Sequence, residues 1–112
     1  MKTFFTDLFK KDLNSDIEKI VRSYKNQFFY TNTDCFYHEK LGVWICTGSY
    51  FNWIYNVAPN NIFGNQNLAN SFSSFLNKYY LNFHYIRWHN NIAIVLYKEA
   101  SIGELSKLEI LK

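Results

Sequence analysis

FHYIRWHNNIAIVLY, residues 83–97, has the pattern of a β-hairpin. Its two arms, 83–88 and 92–97, are rich in the aromatic and β-branched residues that favour strands. Between the arms, Asn90 and Asn91 can adopt the positive φ angles that a tight hairpin turn requires. We therefore expect two antiparallel strands joined by a turn at these two asparagines.

Side chains alternate between the two faces of a strand, so this turn position also predicts which residues share a face. One face carries three cross-strand pairs: Trp88 with Ala93, Ile86 with Val95, and His84 with Tyr97. The other face carries Phe83, Tyr85 and Arg87 together with Ile94, Leu96 and Lys98.

The segment before the hairpin predicts an α-helix. Its apolar residues recur at i, i+4, i+7, i+8 and i+11, which is the spacing of one helix face. They are Leu68, Phe72, Phe75, Leu76 and Tyr79. The Asn and Ser residues between them form the outer face of this helix.

Further upstream the sequence predicts strands. Three runs are rich in aromatic and β-branched residues: 28–30, 35–38 and 43–47. Residues 50–55 are a further candidate strand, but their aromatics at 50, 51, 53 and 55 cannot all point to one face. Some of these side chains are therefore expected to be exposed or covered by a partner.

The two cysteines flank the turn expected at 39–42. If this turn centres on Lys40 and Leu41, Cys35 pairs directly with Cys46, close enough for a disulfide. The alternative is a pair of reduced thiols that pack as small apolar side chains. Because the sequence lacks the pattern of a secreted protein, reduced thiols are the favoured interpretation.

The first predicted helix begins with a capping box, in which Ser15 and Glu18 satisfy backbone amides reciprocally. Asn14 and Ser15 are expected to separate this helix from a short helical segment upstream. The apolar face of the predicted helix consists of Ile17, Ile20, Val21 and Tyr24.

A second capping box, Ser101 with Glu104, predicts a short last helix carrying Leu105, Leu108 and Leu111. The expected order is α-β-β-β-α-β-β-(α). Short connections favour antiparallel neighbours. We therefore predict one domain, residues 1–112, of the α+β class, with a single antiparallel sheet of about 4–6 strands and helices packed on one face.

Composition restricts the environment and the source. The longest apolar run, 92–97, has the length of a strand and is far shorter than the ~20 residues of a membrane helix. Asp7 and Lys10 interrupt the apolar N-terminal residues, so we expect no signal peptide, no membrane association and a cytoplasmic location. The excess of Asn, Phe, Tyr, Lys and Ile matches an AT-rich genome, that of a bacterium or of its phage or mobile elements.

Catalytic and metal-binding patterns are incomplete in this sequence. Cys35 and His38 form a C-x2-H pair, but His84 and His89 lie five residues apart in a strand-like segment and do not form the second pair that zinc sites need. No carboxylate lies between Glu39 and Glu99 to orient a histidine as a base. With four glycines in the chain, we find no phosphate-binding loop. We therefore predict no enzyme, no metal and no cofactor.

The aromatic stretch without carboxylates is suited to protein binding, because interface centres are enriched in Tyr, Trp, Phe and Arg and depleted in Asp and Glu. We interpret the chain as a non-enzymatic protein-binding module, an accessory or inhibitor protein of a phage or mobile element that masks a partner surface. A homodimer is the simplest partnership. The residues expected to make the contact are Trp53, Tyr55, Tyr85, Arg87 and Trp88.

The alternative is a single-stranded nucleic-acid-binding protein that uses aromatic stacking from the second hairpin. Tyr80, Tyr85 and Trp88 would stack on bases, and Arg87 would add a positive charge. Lys78 and Lys98 would contact the backbone. The net charge of +3 is weak evidence for a polyanionic partner. The few bases near the hairpin favour the protein-binding interpretation instead, since phosphate neutralisation usually needs more Lys and Arg.

Overall fold

The computed structural model describes residues 2–23, 33–60, 66–98 and 105–111. Within these ranges the elements are α1 (Lys2–Arg22), β1 (Asp34–His38), β2 (Val43–Thr47), α2 (Ser49–Val57), α3 (Gln66–Tyr79), β3 (Asn82–Trp88), β4 (Asn91–Tyr97) and β5 (Glu109–Ile110). All five strands lie in one sheet of order β1-β2-β4-β3-β5, and each neighbouring pair is antiparallel. The predicted α+β class and strand number are confirmed. No helix in the described ranges is long and apolar enough to cross a bilayer.

The second hairpin forms, but its predicted pairing is shifted by two residues. The turn residues are His89 and Asn90, with φ angles of 49° and 67°, so Trp88 pairs with Asn91 and Ile86 with Ala93. Histidine, like asparagine, tolerates the left-handed region better than most residues. Because a shift of two preserves the alternation of side chains, the predicted division of residues between the two faces is correct.

The first hairpin has the predicted register, with Cys35 directly opposite Cys46. Gly42 has a φ of 67° and its N–H donates to the carbonyl of His38 at 2.8 Å, which closes the turn. The two cysteines are joined by a disulfide, with their Cα atoms 4.2 Å apart. The favoured interpretation of reduced thiols is therefore wrong. That interpretation rested on the expected cellular compartment, whereas the pairing of β1 with β2 is what brings the two sulfur atoms together.

Helices α1, α2 and α3 of the described residues pack on the same face of the sheet, as predicted. They bury a core between helices and strands in which most side chains are apolar or aromatic. The helices contribute Leu13, Ile17, Val21, Tyr50, Phe51, Ile54, Phe72, Phe75 and Tyr79 to this core. The strands contribute Cys35, Trp44, Cys46, Tyr85, Ile92, Ile94 and Leu96.

Helix α1 runs without interruption through the predicted break at Asn14 and Ser15. That prediction is wrong because burial outweighs the weak local preference of these two residues for a helix start. Leu13, Ile17 and Val21 are buried along one face of the continuous helix. Tyr24 and the predicted strand 28–30 lie outside the described residues.

Residues 50–55 belong to helix α2 and not to the predicted strand. Tyr50, Phe51 and Ile54 are its buried residues, and their i, i+1 and i+4 spacing is helical. Gly48, with a φ of 150°, follows the last residue of β2 and directly precedes the helix. The imperfect alternation of aromatics in this segment was therefore a helical pattern.

The second face of the sheet carries a separate apolar cluster. Its buried members are Leu41, Val43, Ile45, Ile86, Ala93, Val95, Tyr97 and Leu105. Half-buried Phe36, Trp88 and Leu108 pack at its margin. This face therefore presents apolar and aromatic side chains as well.

The end of the chain does not continue as the predicted last helix. Glu109 and Ile110 instead pair with Arg87 and Ile86 as strand β5. The Leu111 amide also donates to the carbonyl of Tyr85 at 2.8 Å. These backbone hydrogen bonds with β3 are available only in the folded chain, so the local capping pattern did not reveal them. The capping residues Ser101 and Glu104 lie outside the described residues.

Asp16 links α1 to α3. Its carboxylate accepts hydrogen bonds from the Tyr79 hydroxyl at 2.7 Å and from the Lys78 ammonium at 3.1 Å. Partial burial opposes the charged form, but these two donors outweigh it, so the pKa of Asp16 is lowered. The link fixes the relative position of two helices that share one core.

Candidate functional site

The six residues predicted to bind a partner do not lie on one surface. Tyr85 is 6% exposed and belongs to the core between the sheet and the helices. Its ring packs edge-on against Tyr55, with ring centroids 4.9 Å apart. Tyr85 therefore contributes to the interior of the folded chain.

The Tyr85 hydroxyl is buried and has no hydrogen-bond partner among the described residues. Replacing Tyr85 by phenylalanine is therefore expected to leave the free energy of unfolding at pH 7 unchanged or to raise it by up to about 1 kcal/mol. Urea denaturation followed by circular dichroism measures this difference.

The same variant is expected to separate further from the wild type at alkaline pH. Burial raises the pKa of the Tyr85 phenol well above its ordinary value of 10.0, and the Tyr55 phenol raises it further. Above about pH 10 the unfolded chain loses this proton while the folded chain keeps it. Wild-type stability then falls as pH rises, by up to about 1.4 kcal/mol per pH unit from this one group. Equal slopes for the wild type and Tyr85→Phe between pH 10 and 11 would contradict this assignment.

Trp53 and Tyr55 lie on α2 and are half-buried against the core on the helix face. Trp53 contacts the Tyr50 ring, with centroids 6.1 Å apart. Each of the two side chains retains some exposed surface. They lie on the helix side of the sheet, whereas Trp88 packs on the opposite side.

Arg87 points to the same side of β3 as Tyr85, and its guanidinium is partly exposed. Its Nε donates to the carboxylate of Glu109 on β5 at 3.2 Å. This pair spans two neighbouring strands at the sheet margin. Arg87 thus has a partner within the chain.

Tyr80 and Trp88 lie at opposite ends of β3. Tyr80 precedes the strand with a φ of 56° and is 82% exposed, and Trp88 ends it. A seven-residue strand separates them, which is about 20 Å. The structure therefore does not bring Tyr80, Tyr85 and Trp88 together as one stacking surface.

Trp88 lines an open cleft of about 510 Å³ at one end of the sheet. The cleft lies where β1 and β4 begin and where β2 and β3 end. The strand residues that line it are Asp34, Phe36, Thr47, Trp88 and Asn91. The remaining wall is formed by Gly48, Ser49 and Asn52 at the start of α2 and by His89 of the hairpin turn.

One wall of the cleft is aromatic. Phe36 and Trp88 are half-buried, and their ring centroids are 6.1 Å apart with planes inclined by 48°. The His38 and His89 rings pack edge-on against Trp88, at 5.7 and 4.8 Å. These contacts hold the Trp88 ring in place beside the cavity.

The other wall is polar and is positioned by Asn52. The Asn52 side-chain oxygen accepts a hydrogen bond from the N–H of Ile92 on β4 at 2.8 Å. Strand β2 ends at Thr47, so Asn52 satisfies a β4 amide beyond the end of the β2 ladder. This bond fixes the start of α2, and with it Ser49, at the edge of the cleft.

The charge in the cleft is simple. Among the described residues that line the cleft, Asp34 supplies the only carboxylate and none is Lys or Arg. Asp34 is exposed and forms no ion pair within the described residues. A smaller cavity of about 290 Å³ lies between α1 and α3, but its Asp16 and Lys78 pair with each other. The cleft beside Trp88 is therefore the stronger candidate for a site.

Sequence reasoning identified Trp88 and missed the residues around it. The sequence predicts Asp34 in the turn that precedes the strand 35–38, Phe36 in that strand, and Asn52 in the further strand 50–55. Gly48, between a strand and an aromatic segment, was the one local signal that the chain changes direction there. The proximity of Phe36 to Trp88 follows from the strand order and is not visible in any local pattern.

The arrangement provides hydrogen-bonding groups and aromatic surface. Among the described residues, no three of His, Cys, Asp and Glu come together as possible metal ligands. Comparison of the chain with models of protein families, with curated proteins and with solved structures finds no match.

Proposed function

We propose that this chain is a non-enzymatic protein-binding module and that its contact surface is the cleft at the shared end of β1 to β4. The observation that carries the proposal is the cleft itself, about 510 Å³ with Trp88 and Phe36 on one wall and neutral polar groups on the other. Peptide segments need such a combination, because they present apolar side chains and unpaired backbone polar groups together.

The size of the cleft supports a partner that inserts one or two side chains. Binding energy in protein interfaces concentrates in a few residues that fill pockets, often aromatic residues or arginine. Of the six residues predicted from the sequence, Trp88 is the one that lines this cavity. Trp88 is half-buried and already held by the His38 and His89 rings, so it loses little conformational freedom when a partner binds, which favours affinity.

The lining also supports a role without catalysis. Its described residues include one carboxylate, Asp34, and one histidine, His89, and no cysteine or lysine. Acid-base or nucleophilic catalysis generally requires a nucleophile and base held in contact and oriented by a third group. An accessory or inhibitor protein that covers a segment of its partner needs only the cleft.

Selection of random peptides displayed on phage against the immobilised protein tests the proposal. We expect recovered peptides to bind with micromolar dissociation constants and to lose at least about tenfold in affinity on Trp88→Ala. Thr47→Arg is a second variant, which fills the cleft from the end of β2 without altering a buried side chain. Circular dichroism of both variants establishes that they fold.

Tyr80→Ala separates the cleft from the nucleic-acid alternative. Peptide binding that depends on Trp88 and not on Tyr80 supports the proposal. Peptides that bind the wild type and both cleft variants equally, or a selection that recovers none, contradict it. Tryptophan quenching by a single-stranded oligonucleotide that weakens with added salt and with Tyr80→Ala would instead support nucleic-acid binding.

A further inference from the structure

We infer that the cleft receives an arginine side chain of the protein partner, with Asp34 binding the guanidinium and with Phe36 and Trp88 contacting its plane. This inference rests on the proposed function and specifies the chemistry of the partner. The inference follows from three features of the cleft: the charge of Asp34, the aromatic wall, and the hydrogen-bonding groups of the polar wall.

Asp34 is the first observation. It begins β1 at the rim of the cleft, is exposed, and has no hydrogen bond or ion pair with another described residue. Three other carboxylates in the described part of the chain are paired: Glu18 with Arg22, Asp16 with Lys78, and Glu109 with Arg87. Asp34 is therefore available to a cation from outside.

None of the described lining residues carries a fixed positive charge that could compete for this carboxylate. Arg87 is adjacent to Trp88 in sequence, but it points to the opposite face and pairs with Glu109. His89 is the only other titratable side chain among the described residues at the cleft, and its ring packs against Trp88. The cleft therefore has the charge complementarity of a cation site.

The aromatic wall selects among cations. A guanidinium is planar, is more weakly hydrated than an ammonium, and stacks on aromatic faces while donating in parallel to a carboxylate. Phe36 and Trp88 are both half-buried and inclined to each other by 48°, so their rings present apolar surface beside Asp34. This combination fits arginine better than lysine.

The polar wall fits the backbone of the same residue. The Thr47 and Ser49 hydroxyls line this side, and α2 begins here behind Gly48 without a side-chain cap. Uncapped amides in the first turn of a helix can donate to a carbonyl oxygen. An arginine within a peptide carries the cation and the carbonyl that these two walls require.

The test uses the full chain and two synthetic peptides, acetyl-Gly-Gly-Arg-Gly-Gly-amide and the same peptide with citrulline, which has the shape of arginine without its charge. Nuclear magnetic resonance titration follows the Trp88 indole N–H. We expect the citrulline peptide to bind roughly tenfold more weakly than the arginine peptide. In Asp34→Asn, this difference should largely disappear. Asp12→Asn removes the same charge from an exposed position on α1 and should preserve it.

Equal binding of the two peptides to the wild type, or an arginine preference that survives in Asp34→Asn, would overturn the inference. A lysine peptide that binds as tightly as the arginine peptide would also overturn the assignment of arginine. Failure of the arginine inference can be distinguished from failure of the proposed function. If the displayed peptides require Trp88 for binding but contain no arginine, the protein-binding proposal stands and only the assignment of arginine is lost. If neither the displayed peptides nor the synthetic arginine peptide binds, both proposals fail.

Discussion

Replacing Phe51 by alanine is expected to lower the free energy of unfolding by about 3–5 kcal/mol, the range found for truncating a fully buried phenylalanine. Phe51 has 0% of its surface exposed and packs in the core between α2 and the sheet. Its ring meets Tyr50 edge-on, with centroids 5.5 Å apart. Alanine would leave a cavity there that α2 can close only by shifting relative to the sheet, which would distort the hydrogen bond that Asn52 makes with Ile92 on β4.

Urea denaturation monitored by circular dichroism measures this loss, and Asn56→Ala provides the control on the same helix. Asn56 is exposed, and within the part of the chain that the structure describes its amide donates only to the Asn52 carbonyl one turn earlier. Its substitution should change stability by no more than about 0.5 kcal/mol. A loss below about 1 kcal/mol for Phe51→Ala would mean that α2 does not pack on the sheet as described.

Residues 50–55, which form part of α2, show how a wrong prediction could have been corrected from the sequence alone. Strand propensity and helical spacing conflict in residues 50–55, and propensity is the weaker guide because burial decides the outcome. Tyr50, Phe51 and Ile54 already had the spacing of one helix face. The conflict could have been resolved from the sequence by giving spacing more weight than residue type.

The second hairpin shows which predictions survive a local error. The turn moved from Asn90-Asn91 to His89-Asn90, yet every side chain of the hairpin stayed on its predicted face. Alternation depends on whether a shift is odd or even, whereas register depends on which residues accept positive φ. Faces are therefore predicted more securely than pairs.

The continuity of α1 and the pairing of β5 could not be predicted by the same means. Ser15 and Glu18 have a true capping pattern, but Leu13 and Ile17 are both buried, and this burial keeps the helix intact. Strand β5 consists of two residues, Glu109–Ile110, which is too short for any periodicity. Its formation depends on an edge of β3 that exists only after the hairpin has folded.

In the candidate site, too, some residues could be predicted from the sequence and others could not. Trp88 was predicted because an aromatic residue beside a turn is noticeable in a sequence. The positions of Asp34, Phe36 and Asn52 around it depend on the strand order β1-β2-β4-β3, which places chain segments far apart in sequence at one end of the sheet. Tyr85 was predicted on equal grounds with Trp88, yet it faces the helices, and only the packing of α2 shows that its ring is covered.

Removing the disulfide between Cys35 and Cys46 is expected to lower the free energy of unfolding by about 3 kcal/mol. The bond closes a loop with a sequence separation of 11, and restricting the unfolded chain by a loop of this length contributes about that amount. The double variant Cys35→Ala, Cys46→Ala should show the loss in urea denaturation. Wild-type protein treated with a reducing agent should fall to a similar stability, and the double variant should not respond to the reducing agent.

Thiol counting provides an independent check, and it must be made on unfolded protein because both cysteines are buried. In urea without a reducing agent, the disulfide predicts no reactive thiols, and after reduction it predicts two. Two reactive thiols before reduction, together with a wild type whose stability does not change on reduction, would contradict the disulfide.

The cysteine pair lies next to Asp34 and Thr47 in the β1–β2 ladder, so the disulfide joins the two strands where they reach the cleft. Ladder hydrogen bonds and burial also hold these strands together. We therefore expect the double variant to retain the Trp88-dependent peptide binding under conditions in which it remains folded.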